Sequence, residues 1–454
     1  MTTPTDRDIL RRLAARQAEI AALPIHQQTI AGWKRLNDLK PGKPMVHIYQ
    51  VCWHEMDVDG ELTLQCQDPF NRAAEGQLRR TLYQWSHFRG DMVVTAEFGS
   101  PPVVRDTGFG LEVEEEIVRT DPRGGVVSHR FHTQIKTEAD AEKIRPPQVT
   151  CDREATARNH ARLNELFGDI LAIRPYGVNL EAYSQGYAPW DWLVRWWGVQ
   201  EALTDLVERP QLAHLAMEQL TQGVLARLDQ VEALGLLNPS QGVVTGNGGL
   251  GYTDELPSPS SQALWPVSDR ATVSPPQERQ PSSIRLGQET GLSAEPREGG
   301  IHTMDIWGGA MSQIFSGVSP RMHEEFALQY EARFLNRFGL CYYGCCEPLD
   351  LKVGILRRNL PRLRKISMSP WVNIERGARA IGADYVFSRK PNPAFLATDV
   401  WHPEDVRADL TDLLEKTRGC HVEIVLKDIS TVRNQPHRLW EWAEIARQVT
   451  EESI

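Results

Sequence analysis

Apolar residues recur at two different spacings along the chain, and the change of spacing marks two parts. Residues 1–40 carry apolar positions at helical spacing. From about residue 140 onward, short apolar runs alternate with amphipathic helical patterns. One such pattern, HEEFALQYEARFLNRF, follows Ser319 and Pro320, which favour a helix start, and stops at Gly339. This alternation is typical of α/β proteins with a parallel sheet.

Eight apolar runs have the length and composition of buried strands. Most are apolar on both faces, as the strands of a parallel sheet covered by helices must be. Eight such strands, mostly separated by helices, predict an α/β fold of the (β/α)8 TIM-barrel type. The predicted strands are KPMVHIYQV (43–51), DMVVTAEFG (91–99), ILAIRPYG (170–177), GVVTGNGG (242–249), GLCYYGCCE (339–347), RKISMSP (364–370), DYVFSRKP (384–391) and HVEIVLKD (421–428).

The chain is longer than a barrel requires. A barrel alone needs roughly 250 residues, and this chain has 454. We therefore expect a single barrel domain over residues 1–454 with a helical N-terminal extension at 1–40, a β-hairpin insertion at 100–135 and a flexible loop insertion at 256–300. The loop insertion is rich in Ser, Pro, Gln and charge. It is either a mobile surface loop or a lid that orders over substrate.

The composition indicates a globular chain and argues against nucleic acid and membrane as partners. Fifty basic and 60 acidic residues give a net charge of −10, which opposes binding to a phosphate backbone. No stretch approaches the roughly 18 consecutive apolar residues of a membrane-spanning helix, and the charged first segment lacks the apolar core of a signal peptide. We therefore expect a cytoplasmic protein. Its seven cysteines favour free thiols or metal ligands over a disulfide framework.

Functional side chains of a barrel lie at the carboxyl ends of its strands. In this chain those positions are rich in polar and ionisable residues, as an active site requires. Charged residues there are either paired, bound to an anion or solvated at the rim. The candidate catalytic residues are His54, Glu55, Lys390 and Asp428, and the candidate substrate-binding residues are Trp53, Glu97, Tyr176, Asn247, Trp371 and Lys427.

Cys345, Cys346 and Glu347, which follow the fifth predicted strand, are the candidate metal ligands. Adjacent residues of a strand face opposite sides, so both thiols reach the barrel mouth only if the strand ends at Gly344. Thiolates bind zinc, and zinc lowers the pKa of a thiol until it becomes a usable nucleophile. The alternative is that both cysteines act as small buried hydrophobic residues.

Two further clusters allow both a functional and a structural interpretation. His54 with Glu55 suits acid–base catalysis, and His54 with Cys52 suits metal ligation, but a structural histidine explains the pattern about as well. Residues 190–197 contain four tryptophans. These either form a wall for a flat ligand or a corrin ring, or pack in the core.

Several segments resemble the uroporphyrinogen decarboxylase superfamily. They are SGVSPRMHEEFALQYEARFLNRFGL, YGCCEPLD, RKISMSPW, DYVFSRKPNP and, in the first strand, HIYQVCWHE. The superfamily contains porphyrinogen decarboxylases and zinc-dependent methyltransferases that work with corrinoids. True decarboxylases carry an arginine-rich segment where this chain has VCWHEMDVDG. Thiol-activating methyltransferases carry His-x-Cys after the fifth strand and another Cys after the eighth, where this chain has Gly344-Cys345-Cys346 and Lys427-Asp428.

The resemblance implies an enzyme, and we expect a methyltransferase. It would move a methyl group between a small methylated substrate and a corrinoid carried by a partner protein, with help from zinc held by Cys345 or Cys346, Glu347 and His54. One alternative is a decarboxylase of a carboxylated tetrapyrrole or aromatic compound that uses Lys390, Arg389 and Asp428. Another is a noncatalytic barrel that binds a corrinoid or tetrapyrrole. The resemblance also implies a homodimer.

Overall fold

The computed structural model describes residues 5–119, 127–178, 186–239, 241–257 and 300–453. The strands are β1 Met45–Ile48, β2 Glu97–Ser100, β3 Val103–Asp106, β4 Glu115–Val118, β5 Ser128–Phe131, β6 Val149–Asp152, β7 Ala172–Pro175, β8 Gly186–Tyr187, β9 Trp307–Ala310, β10 Leu340–Tyr343, β11 Leu363–Met368, β12 Val386–Arg389 and β13 His421–Leu426.

Helices flank these strands along the whole chain. They are α1 Asp6–Ala21, α2 Ile25–Asn37, α3 Pro69–His87, α4 Glu138–Ala141, α5 Arg153–Phe167, α6 Pro189–Trp197, α7 Val199–Glu208, α8 Pro210–Ala233, α9 Pro320–His323, α10 Gln329–Leu335, α11 Val353–Asn359, α12 Ile374–Ile381, α13 Ala394–Ala397, α14 Pro403–Lys416 and α15 His437–Glu452. A π-helical turn, Glu324–Leu328, joins α9 to α10. As predicted, Ser319 begins this helix, because its hydroxyl accepts a hydrogen bond from the N–H of Met322.

A parallel sheet forms the centre of the fold. Its strand order is β1-β13-β12-β11-β10-β9-β8, and every neighbouring pair runs parallel. Strands β2 and β7 form a second parallel pair, whereas β3–β6 and β4–β5 are antiparallel. The structure therefore confirms the α/β class with a parallel sheet. Within the described ranges, no helix has both the length and the apolar character needed to cross a bilayer.

The two faces of the sheet differ in chemistry. On β13, Val422, Ile424 and Leu426 pack into the main hydrophobic core. Glu423 alternates with them and instead contacts Lys365 of β11 and Ser388 of β12. Because successive residues of a strand face opposite sides, one face of β13 is apolar and the other carries the buried carboxylate.

The fourth predicted strand, 242–249, is wrong. This segment is a turn-rich loop with a single antiparallel bridge between Val244 and Leu250, and Gly242 and Gly246 adopt positive φ angles that a regular strand excludes. Its place in the sheet is taken by β9, which the hydrophobic pattern did not predict. Residues 258–299 of the predicted loop insertion lie outside the described residues.

Candidate active site

A cavity of about 510 Å³ lies where the parallel strands end. This volume is in the range of sites for small molecules. Most of the lining side chains come directly after strands of the sheet or from the loop that precedes β9. The lining includes Tyr49, Gln50, Tyr176, Trp192, Asn247, Met311, Gln313, Tyr342, Cys345, Lys427 and Asp428.

Lys427 is a buried cation at the end of β13 that lines this cavity. Its Nζ lies 2.8 Å from Asn247 Oδ1, 3.3 Å from Cys345 Sγ and 3.5 Å from Asp428 Oδ2. Burial by itself lowers the pKa of the Lys427 ammonium, but the neighbouring acidic groups Cys345, Asp428 and Cys346 outweigh burial and raise the pKa above its usual value. Lys427 therefore stays protonated and presents a positive charge to any molecule in the cavity.

The two adjacent thiols lie side by side because the strand ends before them. Gly344 has a φ of 100°, a conformation that L-residues avoid, and a Cβ there would collide with Leu349. This turn breaks the alternation of β10, so Cys345 Sγ lies 3.5 Å from Cys346 Sγ. Cys345 lines the cavity, and Cys346 is half-buried beside it.

Ionisation of the two thiols is linked. The hydrogen bond between the sulfurs lowers the pKa of Cys346 and raises the pKa of Cys345, which burial raises further. Lys427 lowers the pKa of both thiols. The pair therefore releases a first proton more readily than a second, and at most one thiolate forms near neutral pH.

The predicted metal ligands do not have the arrangement of a zinc site. The Glu347 carboxylate is fully buried and accepts the N–H of Ser312 at 3.0 Å and the N–H of Cys345 at 2.9 Å. It thus holds two loops together, and burial raises its pKa. Across the described part of the chain, no three His, Cys, Asp or Glu side chains converge as metal ligands do. These donors therefore do not fit a protein-held zinc ion.

Lys390 lies beneath the cavity and is linked to it through Tyr342. Its Nζ donates to Tyr342 Oη at 2.7 Å and to Ser388 Oγ at 2.7 Å. Burial lowers the pKa of Lys390 to about 7, Glu423 opposes this shift, and Lys427 adds to it. A lysine with a pKa near neutrality can exchange a proton at physiological pH.

A buried ion pair continues this network below Lys390. Ser388 Oγ donates to Glu423 Oε1 at 2.6 Å, and Lys365 Nζ donates to Glu423 Oε2 at 2.8 Å. Lys365, Lys390 and Lys427 are each at most 5% exposed, as is Glu423. Asp428, in contrast, has a side chain that is 53% exposed. In this part of the described structure, buried positive charge therefore exceeds buried negative charge.

The tripeptide Trp53–Glu55 lies outside the cavity lining. Glu55 accepts hydrogen bonds from Thr431 Oγ1 at 2.7 Å and from the N–H groups of Val432 and Asn434 at 2.7 and 3.0 Å, and so fixes the loop after β13. Burial opposes its ionisation, but these hydrogen bonds outweigh burial and lower its pKa. His54 Nε2 lies 3.7 Å from Glu55, and Trp53 stacks near the guanidinium of Arg80.

Two other predicted binding residues also lie elsewhere. Glu97 begins β2 instead of ending it, because the strand starts later than its hydrophobic pattern suggested. Its carboxylate is exposed and pairs with Arg174 at 2.9 Å. Trp371 follows β11 but is 69% exposed and does not line the cavity. Tyr176, Asn247, Lys427 and Asp428, by contrast, all line it.

Sequence analysis missed Gln313 and Met311 because it missed β9, which they follow. Gln313 Nε2 donates to Asp191 at 2.5 Å, and burial raises the pKa of Asp191 to about 6.

The tryptophans near Asp191 differ in location. Trp192 lines the cavity, whereas Trp190 and Trp197 are fully buried, with their indole N–H groups bonded to Phe326 O and Asp205 Oδ2.

Comparison with known proteins adds similarity to solved structures alone. No protein-family model matches the chain, and no curated protein matches it. Among solved structures, a methyltransferase from Methanosarcina mazei is similar with a TM-score of 0.48 and 12% sequence identity, over 92% of this chain and 96% of that chain. None of these comparisons assigns the chain to a family.

Proposed function

We propose that this chain is a methyltransferase that takes a methyl group from a small substrate in the cavity and passes it to a corrinoid on a partner protein. The observation that carries the proposal is Lys427, a protonated ammonium in a cavity of about 510 Å³, 3.3 Å from the Cys345 thiol. When a methyl group leaves a heteroatom, the heteroatom keeps the electron pair of the broken bond. A proton donor at that atom lowers the barrier.

We propose further that the strands close into a (β/α)8 barrel. The six longer strands of the central sheet and the β2–β7 pair together supply the eight strands of such a barrel. Tyr176, which follows β7, and Tyr49, which follows β1, line the same cavity. The N–H of Asp91, on the segment leading into β2, also donates to Val46 O of β1 at 2.8 Å. These contacts support placing the β2–β7 pair beside β1, on the edge that β13 does not occupy.

The charge of the interior favours an anionic substrate. Buried charges are costly unless they are paired, and of the three buried lysines it is Lys365 that pairs directly with a buried carboxylate, Glu423. A carboxylate or a similar anionic group on the substrate would supply the missing negative charge next to Lys427. The methyl-bearing heteroatom would then lie within reach of the same ammonium.

Each of the cavity residues would have a distinct role in methyl transfer. Lys427 donates its proton to the heteroatom as the bond to the methyl carbon breaks, and Asn247 and Asp428 hold the ammonium in place. Lys390, linked to the cavity through Tyr342, is the nearest buried lysine that exchanges protons near neutrality. The corrinoid is the second substrate and supplies the nucleophile that accepts the methyl group. Because the cavity suits a small ligand, the corrinoid would approach its mouth. No step requires a protein-held zinc ion.

Methyl transfer to free reduced cobalamin tests this proposal. The purified chain is incubated with methylated amines, ethers and thioethers, each with and without a carboxylate, and the corrin absorbance is followed. We expect transfer from at least one carboxylate-bearing donor, and the Cys420→Ser variant, altered at the amino end of β13, is expected to retain it. Release of carbon dioxide from uroporphyrinogen without methyl transfer would instead indicate a decarboxylase. Tight tetrapyrrole binding without turnover would indicate a noncatalytic binder.

A further inference from the structure

The paired thiols of Cys345 and Cys346 have a chemistry that methyl transfer does not use. Their sulfurs are 3.5 Å apart, and both cysteines are free thiols. Of the other cysteines, Cys52, Cys66 and Cys341 are buried, and burial raises the pKa of each of these thiols to about 12. Cys151 and Cys420 are half-buried, like Cys346, but their sulfurs lie against Thr156 Oγ1 and Ala378 O. Oxidants react with accessible thiolates, and Cys346 combines access with a second sulfur in contact.

The backbone holds the two sulfurs together. Beyond the turn at Gly344, the N–H of Cys345 donates to Glu347 Oε2 at 2.9 Å, and its carbonyl accepts the hydroxyl of Ser367 at 2.8 Å. These bonds fix Cys345 in position, while Cys346 is half-buried and therefore open to small molecules. Two thiols fixed within contact, one of them accessible, are the arrangement of a reactive and a resolving cysteine.

We propose that Cys345 and Cys346 form a reversible redox site that closes to a disulfide between adjacent residues when the protein meets a peroxide. The Cys346 thiolate attacks the peroxide, becomes a sulfenic acid and releases hydroxide or an alkoxide. The Cys345 thiol then attacks the sulfenic sulfur, so that the S–S bond forms and water leaves. A dithiol reductant restores both thiols and is itself oxidised to a disulfide.

Geometry makes this disulfide easy to reduce. Cα atoms of adjacent residues are about 3.8 Å apart across a trans peptide, which is shorter than the roughly 4.4–6.8 Å usual between disulfide-bonded cysteines. Strain of this kind favours the dithiol form, and strained disulfides are the labile, regulatory ones. The bond would therefore act as a reversible signal and not as a structural cross-link.

Closure would change the cavity. In the reduced form Cys345 Sγ lies 3.3 Å from Lys427 Nζ and partners its ammonium. A disulfide contains no thiolate, so the negative charge that the Cys346 thiolate places near Lys427 would be lost when the pair is oxidised. The inference stands on the thiols alone and does not depend on methyl transfer.

Peptide mass spectrometry of the full chain tests the proposal without any activity assay. The reduced protein is treated with a small excess of hydrogen peroxide, denatured, alkylated and digested, with and without prior dithiothreitol. We expect the peptide with Cys345 and Cys346 to lose two hydrogen masses and to resist alkylation. Dithiothreitol should restore both alkylation sites, and Cys420→Ser should behave like the wild type.

The Cys345→Ser variant sharpens the result. It retains the reactive Cys346 but has no resolving thiol, so we expect no loss of two hydrogen masses, and dimedone should trap the sulfenic acid that forms at Cys346. The proposal is overturned if wild-type protein is still alkylated at both sulfurs after peroxide. It is also overturned if dimedone traps a persistent sulfenic acid in the wild type to the same extent as in the variant.

Discussion

Two neighbouring tyrosines of β10, Tyr342 and Tyr343, reach opposite sides of the sheet, and each belongs to a buried polar network. Tyr342 accepts a hydrogen bond from Lys390 at 2.7 Å on the inner side, which is the side of the sheet that leads to the cavity. Tyr343 donates to Glu331 at 2.5 Å on the outer side and lies 2.6 Å from His323 Nε2. Both tyrosines are fully buried, so burial alone does not distinguish a functional network from a structural one.

The surroundings of the two networks differ. The inner network ends at the cavity, and its buried lysines outnumber its buried carboxylate. The outer network is closed. Lys352 Nζ bonds to His323 Nδ1 at 3.0 Å and to Phe315 O at 2.7 Å, and Ser312 Oγ donates to Glu331 at 2.8 Å. An uncompensated charge beside a cavity indicates ligand binding, whereas a satisfied network indicates scaffold.

The outer network nevertheless supports the inner site. Ser312, which bonds to Glu331, also donates its N–H to Glu347, and Glu347 holds the N–H of Cys345. The outer face therefore positions the thiol that the inner face exposes. The comparison can be tested by substituting matching residues on the two sides.

The largest expected effect is on activity. Lys427→Met removes the cavity ammonium, and we expect methyl transfer to fall by about 10²–10⁴-fold, as for loss of a general acid. The outer counterpart Lys352→Met should instead reduce the free energy of unfolding by roughly 1–3 kcal/mol, because it leaves His323 and Phe315 O without their donor. Initial rates and urea unfolding of both variants show which network serves catalysis and which serves stability. Unchanged rates in Lys427→Met would contradict the assignment of the inner face.

The next effect concerns stability as a function of pH. Burial raises the pKa of Glu331 to about 8 from its ordinary value of 4.5. The folded state therefore retains a proton that the unfolded state releases, so the stability from Glu331 is complete below pH 4.5 and is lost as the pH rises towards 8. The amide in the Glu331→Gln variant does not titrate, so this pH-dependent contribution to stability is absent from the variant.

We expect the Gln variant to be less stable than the wild type near pH 5, because an amide cannot accept both bonds from Tyr343 and Ser312. The difference should shrink by roughly 2–4 kcal/mol by pH 8. Urea unfolding at several pH values measures this difference in stability. His323 and Lys352 are present in both proteins, so their titration affects both alike. A difference that stays constant with pH would show that Glu331 is already ionised at pH 5.

A smaller effect distinguishes the two tyrosines. Tyr343→Phe removes a hydroxyl shared by Glu331 and His323, and we expect a loss of about 1–3 kcal/mol of stability with the pH dependence of the rate unchanged. Tyr342→Phe removes an acceptor of the Lys390 ammonium, which lowers the pKa of Lys390 further. The alkaline limb of the pH–rate profile should therefore shift to lower pH. Identical pH–rate profiles for both variants would show that Lys390 takes no part in the reaction.

Much of the fold follows from hydrophobic pattern. Seven of the eight predicted runs overlap a strand, because buried parallel strands are apolar on both faces. The run 242–249 failed because its two valines are followed by glycines that turn the chain. Strand β9, WGGA, was missed because its two glycines hide the pattern, and a Cβ at Gly308 would meet the ring of Phe338. Close packing of this kind is a tertiary constraint that a local pattern does not reveal.

The site was only partly predictable for a related reason. The strand ends point to Lys427 and Asp428, which line the cavity, but proximity in the chain does not specify direction in space. Glu55 follows β1, yet it turns away to bond the loop at Thr431–Asn434. Gln50, before it, lines the cavity, although nothing in its residue type marks it. Such choices depend on loop conformation.

The smallest effect tests that loop conformation. Gln50 and Asp428 line the cavity with positive φ angles of 53° and 58°, and Gln50 O accepts the N–H of Ile429. Such strain in a non-glycine residue is common at functional sites. We expect Gln50→Gly to gain about 1 kcal/mol in urea unfolding, since glycine tolerates positive φ, and to lose activity with the side chain. Gln50→Ala removes the same side chain but keeps the strain, so it should lose activity without the gain. Equal stability of the two variants would show that position 50 stores no strain.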